Sequence, residues 1–484
     1  MEAGLPAELP RLTRKAAKPV PGIVHLGLGA FFRAHGALYI EEAMQASGGD
    51  WGIIGVSLQS SAMHDRLAPQ DFVYTAQELG PNGEQLHQVG VVTDVLVARQ
   101  DPDAVLATLA DPGIRLVTLT ITEKGYCHDP ATGRLNMAHP DISHDLDSEH
   151  PVSSIGFLVQ ALARRRDAGL PPFTVLSCDN LPDNGRLLRG IVLEFAGKLD
   201  ADLAHWIAEE GRFPSSMVDR IVPATKPEDI DALATKTGVL DEAPVLHEPF
   251  RQWVIEDDFV EAYGADARPD FGAVGVELVA NITPYEDMKI RMLNGTHSSL
   301  AYLGYLAGYE TISETVADPV FAEFVTHLWR HEIMPSFTPP PGVDLKAYAE
   351  ALFQRYANPA IRHRTWQIAM DGSQKLPQRL LGTVRDNLAD RRDCLGLSTA
   401  IAAWMIYVGG TDLDGKPIDV RDPLADKLKA LSDSGTTPGE KVVALLSVEE
   451  IFDPQLVKGL RLHVESAYIL LSMDGVRPVL EHMA

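Results

Sequence analysis

Up to about residue 282, short unbroken apolar runs alternate with stretches of helical spacing; beyond it, helical spacing dominates. Gly22-Ile23-Val24-His25-Leu26 reads as a buried strand, and Gly27-Leu28-Gly29 turns the chain. A helix is expected over 34–46, with Leu38, Ile40, Ala43 and Met44 on its apolar side, and a second strand over 52–57. Strand, glycine turn, helix, strand is a βαβ unit of the dinucleotide-binding type. More strands are predicted over 114–122, 173–177, 217–221, 252–255 and 271–281, with an amphipathic helix over 155–166. Later helices are predicted over 313–332, broken near Pro319, and over 344–355, 397–408 and 465–473. The pattern predicts an α/β protein. A Rossmann-type dinucleotide-binding domain spans 1–282, and a mainly α-helical domain that completes the substrate and catalytic site spans 283–484.

The second domain opens on the most informative stretch, 283–300, predicted as one α-helix with Thr283 as N-cap, Pro284 in the first turn and Glu286 completing a capping box. At about 100° per residue, Lys289, Leu293, His297 and Leu300 fall within roughly 80° of one another. Asn294 lies about 140° from Lys289, on the side of His297. A lysine aligned with leucines that favour burial has its pKa lowered, because the charged form loses solvation. Such a lysine can take a proton from a hydroxyl near neutral pH while an amide and an imidazole stabilise the oxyanion. The alternative is a lysine snorkelling from the edge of an apolar stripe beside an ordinary core histidine. Ligand sites favour domain interfaces, which is where this helix is expected.

Composition narrows the chemistry. A formal net charge of −25 argues against nucleic acid or an anionic membrane as a main partner. It also requires that an anionic ligand be met by locally placed Lys or Arg. The three cysteines, Cys127, Cys178 and Cys394, form no C-x-x-C pair, so neither a disulfide framework nor a cysteine zinc site is expected, and a reducing cytoplasm is. No run approaches about 18 apolar residues, and Met1 to Lys18 has no apolar core of signal-peptide length, so no membrane span or secretion is expected.

The glycine fingerprint is incomplete: Gly27-x-Gly29 is present, but Phe32 stands where a third glycine is usual. Gly27, Gly29, Ala30, Phe31 and Arg33 are the cofactor candidates, with Arg33 and His35 beginning the helix where phosphate oxygens would lie. No Asp or Glu occurs between Trp51 and His64 to hold the ribose, nor any basic cluster for a 2′-phosphate, so the residues leave NAD and NADP open; Gln59 is the candidate ribose contact. Glu123 and Lys124 follow the 114–122 strand at its carboxyl end, where ligands bind in open α/β sheets. Asp179 and Asn180 end another strand and are also compatible with turn chemistry.

These stretches together resemble the mannitol dehydrogenase family of polyol-specific long-chain dehydrogenases. The matching pieces are Gly27-Leu28-Gly29-Ala30-Phe31-Phe32-Arg33-Ala34-His35, Thr120-Ile121-Thr122-Glu123-Lys124-Gly125-Tyr126 and Ser177-Cys178-Asp179-Asn180-Leu181-Pro182. Met217-Val218-Asp219-Arg220-Ile221, Glu248-Pro249-Phe250-Arg251-Gln252-Trp253, the lysine stretch and Met370-Asp371-Gly372-Ser373-Gln374-Lys375-Leu376-Pro377 complete them. The resemblance implies an NAD(P)-dependent, metal-independent alcohol dehydrogenase with NAD preferred, monomeric, acting on a polyol or sugar acid. By motif, it implies Lys289 as general base, Asn294 and His297 as its partners, and Asn180 as a second oxyanion contact. It further implies Asp219 and Lys375 as binders of distal hydroxyls and Glu123 and Glu286 as proton-relay carboxylates. The run His363 to Arg379 resembles the fructuronate reductase branch, whereas mannitol enzymes commonly place an arginine at the position of Gln367. A uronate carboxylate needs a cation, and Arg364 is the candidate, with a surface or structural role as the alternative.

Overall fold

An unbroken apolar strand is covered on both faces when it lies inside a parallel sheet. The computed structural model, which describes residues 9–130 and 132–483, places the first apolar run there. Residues 1–8 of the charged lead-in, expected to lack a signal-like core, lie outside the described residues. The chain divides into two compact units, Met1–Ile282 and Thr283–Ala484.

In the first unit, β1 (Pro21–Leu26), β2 (Gly52–Ser57), β3 (Val92–Val97), β4 (Leu116–Leu119) and β5 (Thr174–Ser177) form one sheet in the order β3-β2-β1-β4-β5. All four pairings are parallel, with Ile23 opposite Ile53 on one side and Leu116 on the other. The strand order reverses between β1 and β4, so the carboxyl ends of these two strands form the topological switch point where dinucleotides bind in such sheets. A small second sheet pairs Ser216–Asp219 antiparallel with Gln252–Glu256, setting Asp219 opposite Gln252. Two motifs distant in sequence thereby become neighbours.

Three predicted elements of the first unit differ. The helix expected over 34–46 is two helices, Ala30–Ala34 and Gly36–Ser47, broken at His35. There the buried His35 ring bonds the Gln252 carbonyl through Nε2 at 2.8 Å. The strand expected over 114–122 is confined to β4, because the Asp179 carboxylate takes the Ile121 and Thr122 amides at 3.0 and 2.9 Å. The stretch 271–281 forms a 3₁₀ turn, Phe271–Val274, then the short strand Glu277–Val279, separated by Gly275 at φ +86°.

In the second unit the helix Leu395–Val408 is buried almost all round, as expected for a central helix. Thr296–Leu306 and Pro454–Asp474 pack against it. Its first turn is capped by buried Glu332, which accepts from the Gly396 and Leu397 amides at 2.7 and 2.9 Å. A carboxylate is favoured at this positive helix end, yet burial pushes its pKa up to about 7. The predicted 465–473 helix is the second half of Pro454–Asp474, and the 313–332 helix divides into Ile312–Ala317, Pro319–His327 and a π-helical turn, Leu328–Ile333. Among the described residues no helix is long and apolar enough to cross a membrane.

Candidate active site

Gly27 leaves β1 at φ +89°, and a Cβ there would lie 2.2 Å from the Thr120 carbonyl oxygen just beyond β4. Only glycine combines that conformation with that approach. Gly29 is the exposed N-cap of Ala30–Ala34, and a Cβ on it would meet nothing nearer than the Gly27 oxygen at 3.8 Å. Ala30 and Phe31 are half-buried beside it. This open backbone at the switch point fits the close approach of a dinucleotide pyrophosphate. The departure at Phe32 has a packing reason: its ring is buried and stacks on His25, with centroids 3.4 Å apart. The helix-to-strand contact that a third glycine would permit is filled here by an aromatic pair.

Arg33, expected to meet phosphate, does not. Its guanidinium is buried, donates to the Ala243 carbonyl at 2.5 Å and lies over the Tyr74 ring. His35 is likewise buried and committed to Gln252. Gln59 is exposed two residues beyond β2, and Glu123 and Lys124 are exposed in the turn Glu123–Tyr126 beyond β4. Asp179 holds that turn from β5: besides the two amides it accepts from Tyr126 Oη at 2.8 Å, and burial raises its pKa. Asn180, the next residue, is exposed. Asp219 is buried at the end of its strand, and Arg220 beside it donates to the Glu248 and Ala34 carbonyls at 3.0 and 2.7 Å.

In the second unit the lysine stretch is not one α-helix. Thr283–Met288 is α-helical, Lys289–Gly295 is a π-helix, and Thr296–Leu306 is α-helical again. Because π-helical hydrogen bonds run i→i+5, Asn294 stacks about one turn above Lys289 instead of about 140° away. Buried side chains hold the widened turn. The Met292 carbonyl accepts from Trp329 Nε1 at 2.9 Å and Thr296 Oγ1 at 2.5 Å, and the Leu293 carbonyl from Tyr356 Oη at 2.8 Å. Lys289, Glu286 and His297 are buried and Asn294 half-buried.

Around His297 the fold gathers groups that the periodicity of its own helix does not identify. The His363 ring lies edge-on at 4.6 Å and the Tyr356 ring stacks at 5.4 Å. Burial, with the charges of Arg379, Arg355 and Lys375, holds the His297 imidazole well below its usual pKa; His363 is pushed down to about 4 by burial and by Arg379 and Lys375. Both rings are therefore neutral at pH 7. Lys375 sits on Gly372–Leu376 and donates to the Met370 carbonyl at 2.5 Å; burial and the charge of Arg379 push its pKa down to about 8. The turn carrying it is fixed by Asp422, which accepts from Ser373 N and Oγ at 2.7 and 2.6 Å.

Arg364 is not in this group: it is exposed, and its Nε lies 3.4 Å from a Glu310 carboxylate oxygen. The expectation of a carboxylate-gripping Arg364 is therefore corrected to a surface ion pair. Arg379 does belong to the group. The signal for it was its spacing of four from Lys375, which sets the two on one helical face. Its backbone also shapes the lysine stretch, since a Cβ on Gly295 would lie 2.7 Å from the Arg379 carbonyl oxygen. Gly295→Ala is accordingly expected to destabilise the second unit by about 1–3 kcal/mol, the range for overpacking. A urea-unfolding midpoint equal to wild type would contradict this close contact. Among the described residues, one group has metal-ligand character: Cys127, His139 and Asp141 in the first unit, with ligand atoms within 4.8 Å of one another.

Comparison with known proteins agrees with both halves of this description. Residues 21–264 match the mannitol dehydrogenase Rossmann domain and residues 281–471 the mannitol dehydrogenase C-terminal domain. The chain is 47% identical over 437 residues to an uncharacterized oxidoreductase of Escherichia coli K12, YeiQ, covering 90% of this chain and 88% of that one. It is 44% identical to the D-mannonate oxidoreductase of the same organism over 462 residues, 94% of each chain. Among solved structures, Pseudomonas fluorescens mannitol 2-dehydrogenase in ternary complex with NAD and D-mannitol superimposes with a TM-score of 0.85 at 38% identity, covering 99% of this chain and 97% of that one. With both domains matched and relatives this similar over nearly the full length, the chain belongs to the mannitol dehydrogenase family of oxidoreductases.

Proposed function

We propose that this protein interconverts D-mannonate and D-fructuronate with NAD, by hydride transfer at a secondary alcohol and with Lys289 as general acid and base. The observation that carries the reading is a group of the second unit: buried Lys289 and half-buried Asn294 on one π-helical turn, followed by a buried, neutral His297. Held at the Gly27–Gly29 turn, NAD would supply the hydride acceptor for oxidation and NADH the hydride donor for reduction. In oxidation, Lys289 takes the hydroxyl proton as the carbonyl forms. Asn294 donates an amide N–H, and neutral His297 its single N–H, to the oxygen on which negative charge develops. In reduction, Lys289 returns the proton. Lys375 holds a distal substrate oxygen, and Glu286 relays the proton; by family motif, Asn180, Asp219 and Glu123 of the first unit carry the roles of oxyanion contact, hydroxyl binder and proton relay.

Two facts favour the sugar acid. The D-mannonate oxidoreductase of Escherichia coli is 44% identical over 94% of the chain. Cationic side chains cluster about His297 although the chain carries a net charge of −25. The second reading, a polyol dehydrogenase acting on D-mannitol and D-fructose, is favoured by the TM-score of 0.85 to mannitol 2-dehydrogenase.

The test is NADH absorbance with D-fructuronate, D-fructose and other ketoses, run with and without exhaustive chelation. D-Fructuronate is expected to be reduced fastest, NADPH to serve less well, and chelation to leave the rate intact, because a lysine base needs no Lewis acid. A preference for fructose hands the assignment to the polyol reading. A rate lost on chelation and restored by Zn²⁺ overturns the lysine mechanism.

A further inference from the structure

The second unit holds an arginine whose positive charge no carboxylate balances among the described residues. Arg379 is half-buried on the π-helical turn Pro377–Leu381, and its Nη1 donates to Ser298 Oγ at 3.1 Å. Among the described residues this is its one side-chain hydrogen bond, and no acidic side chain pairs with it. The charged or titratable groups around it are Lys375, His363, His297 and the phenols of Tyr302 and Tyr356, none of them an anion at neutral pH. Its Nε and Nη2 make no hydrogen bond among the described residues, and the Nδ1 of neighbouring His363 is buried without a partner. An unbalanced cation in such a place is unfavourable unless an anion joins it. The contrast with Arg364 is direct, since that guanidinium already faces Glu310.

We propose that Arg379 recognises the carboxylate of the substrate and so sets the substrate class as sugar acids rather than neutral polyols. This rests on the proposed function and adds the residue that selects among substrates of that site. With Nη1 held by Ser298, the Nε and Nη2 edge presents two parallel N–H donors, the fork that matches a carboxylate and that a hydroxymethyl group cannot use. Ser298 follows His297 directly, and the Arg379 carbonyl packs against Gly295 beside Asn294, so the same fold element ties the fork to the oxyanion donors. Lys375 on the preceding turn adds a second positive charge and is partly offset by Asp371 at 4.0 Å.

The experiment compares wild type, Arg379→Gln and Arg379→Lys in oxidation of D-mannonate and D-mannitol with NAD, alongside thermal melting with NADH and D-mannonate present. In Arg379→Gln the KM for D-mannonate is expected to rise at least about tenfold, the effect of losing a hydrogen bond to a charged group, while the KM for D-mannitol stays near wild type. Arg379→Lys keeps the charge without the fork and should recover only part of the loss. Equal losses for both substrates, at an unchanged melting temperature without ligand, would overturn the inference. If wild type oxidises neither compound, the proposed function falls, and the arginine is judged by melting alone. D-Mannonate must then stabilise wild type and not Arg379→Gln, and equal stabilisation of the two sinks the carboxylate site.

Discussion

Lys289→Ala is expected to lower turnover at least about 100-fold, the lower end of the contribution of general acid–base catalysis, while NADH affinity stays near wild type. The lysine is buried in a unit distinct from the one that carries the glycine turn, so its loss removes proton transfer and leaves the dinucleotide cradle untouched. It stands at the first position of the π-helix, with Asn294 about one turn above it. Alanine is helix-compatible, so the turn is expected to persist and the loss to be chemical. The discriminating measurement is single-turnover reduction together with NADH fluorescence titration. Near-normal turnover would refute the mechanism, and a parallel loss of NADH binding would show that the substitution had disturbed the fold.

The first unit is expected to lose stability steeply on acidification. Burial pushes the pKa of His25 and His35 down to about 3 and that of His247 to about 4. All three are neutral in the folded state, whereas in the unfolded chain histidine titrates near about 6.5. Above that pH both states are neutral and the full stability is present. As pH falls below it, the unfolded chain takes up protons that the folded chain refuses, so stability drops until the folded values are reached. Three such groups give a slope of up to about 4 kcal/mol per pH unit between about pH 5.5 and 4. Three groups act in the opposite sense. His87, raised by its bond to Glu41, and Asp179 and Asp258, raised by burial, bind protons more readily when folded. The His87 and Asp258 side chains are largely exposed, which weakens their effect, so the three buried imidazoles dominate. Urea unfolding at a series of pH values checks this; midpoints that stay level from about pH 7 to 4.5 would refute it.

The buried histidines show why parts of this protein were legible in its sequence and others were not. His25 lies in an apolar run, which marks it as interior, but Thr118 and Thr120, which bond its two ring nitrogens, are on and just beyond another strand. The dinucleotide turn was legible because its causes are local: an apolar strand followed by glycines, one of which must take a positive φ. Arg33 was misplaced because its partner, the Ala243 carbonyl, is 210 residues away.

Composition and periodicity by themselves determined a parallel-sheet nucleotide-binding half, a helical half, and a lysine stretch lined with an amide and an imidazole. Each is written in hydrophobic runs a few residues long, where local conformation and burial agree. Only the tertiary structure decided the π-helix at Lys289, because the carbonyls of its widened turn are held by Trp329 and Tyr356 from other helices. It also set two arginines of one run in different surroundings: Glu310 pairs with Arg364, while Arg379 is folded among cations and neutral rings. Charge in a sequence states only the sign of a side chain, and what that sign can do depends on which neighbours the fold brings to it.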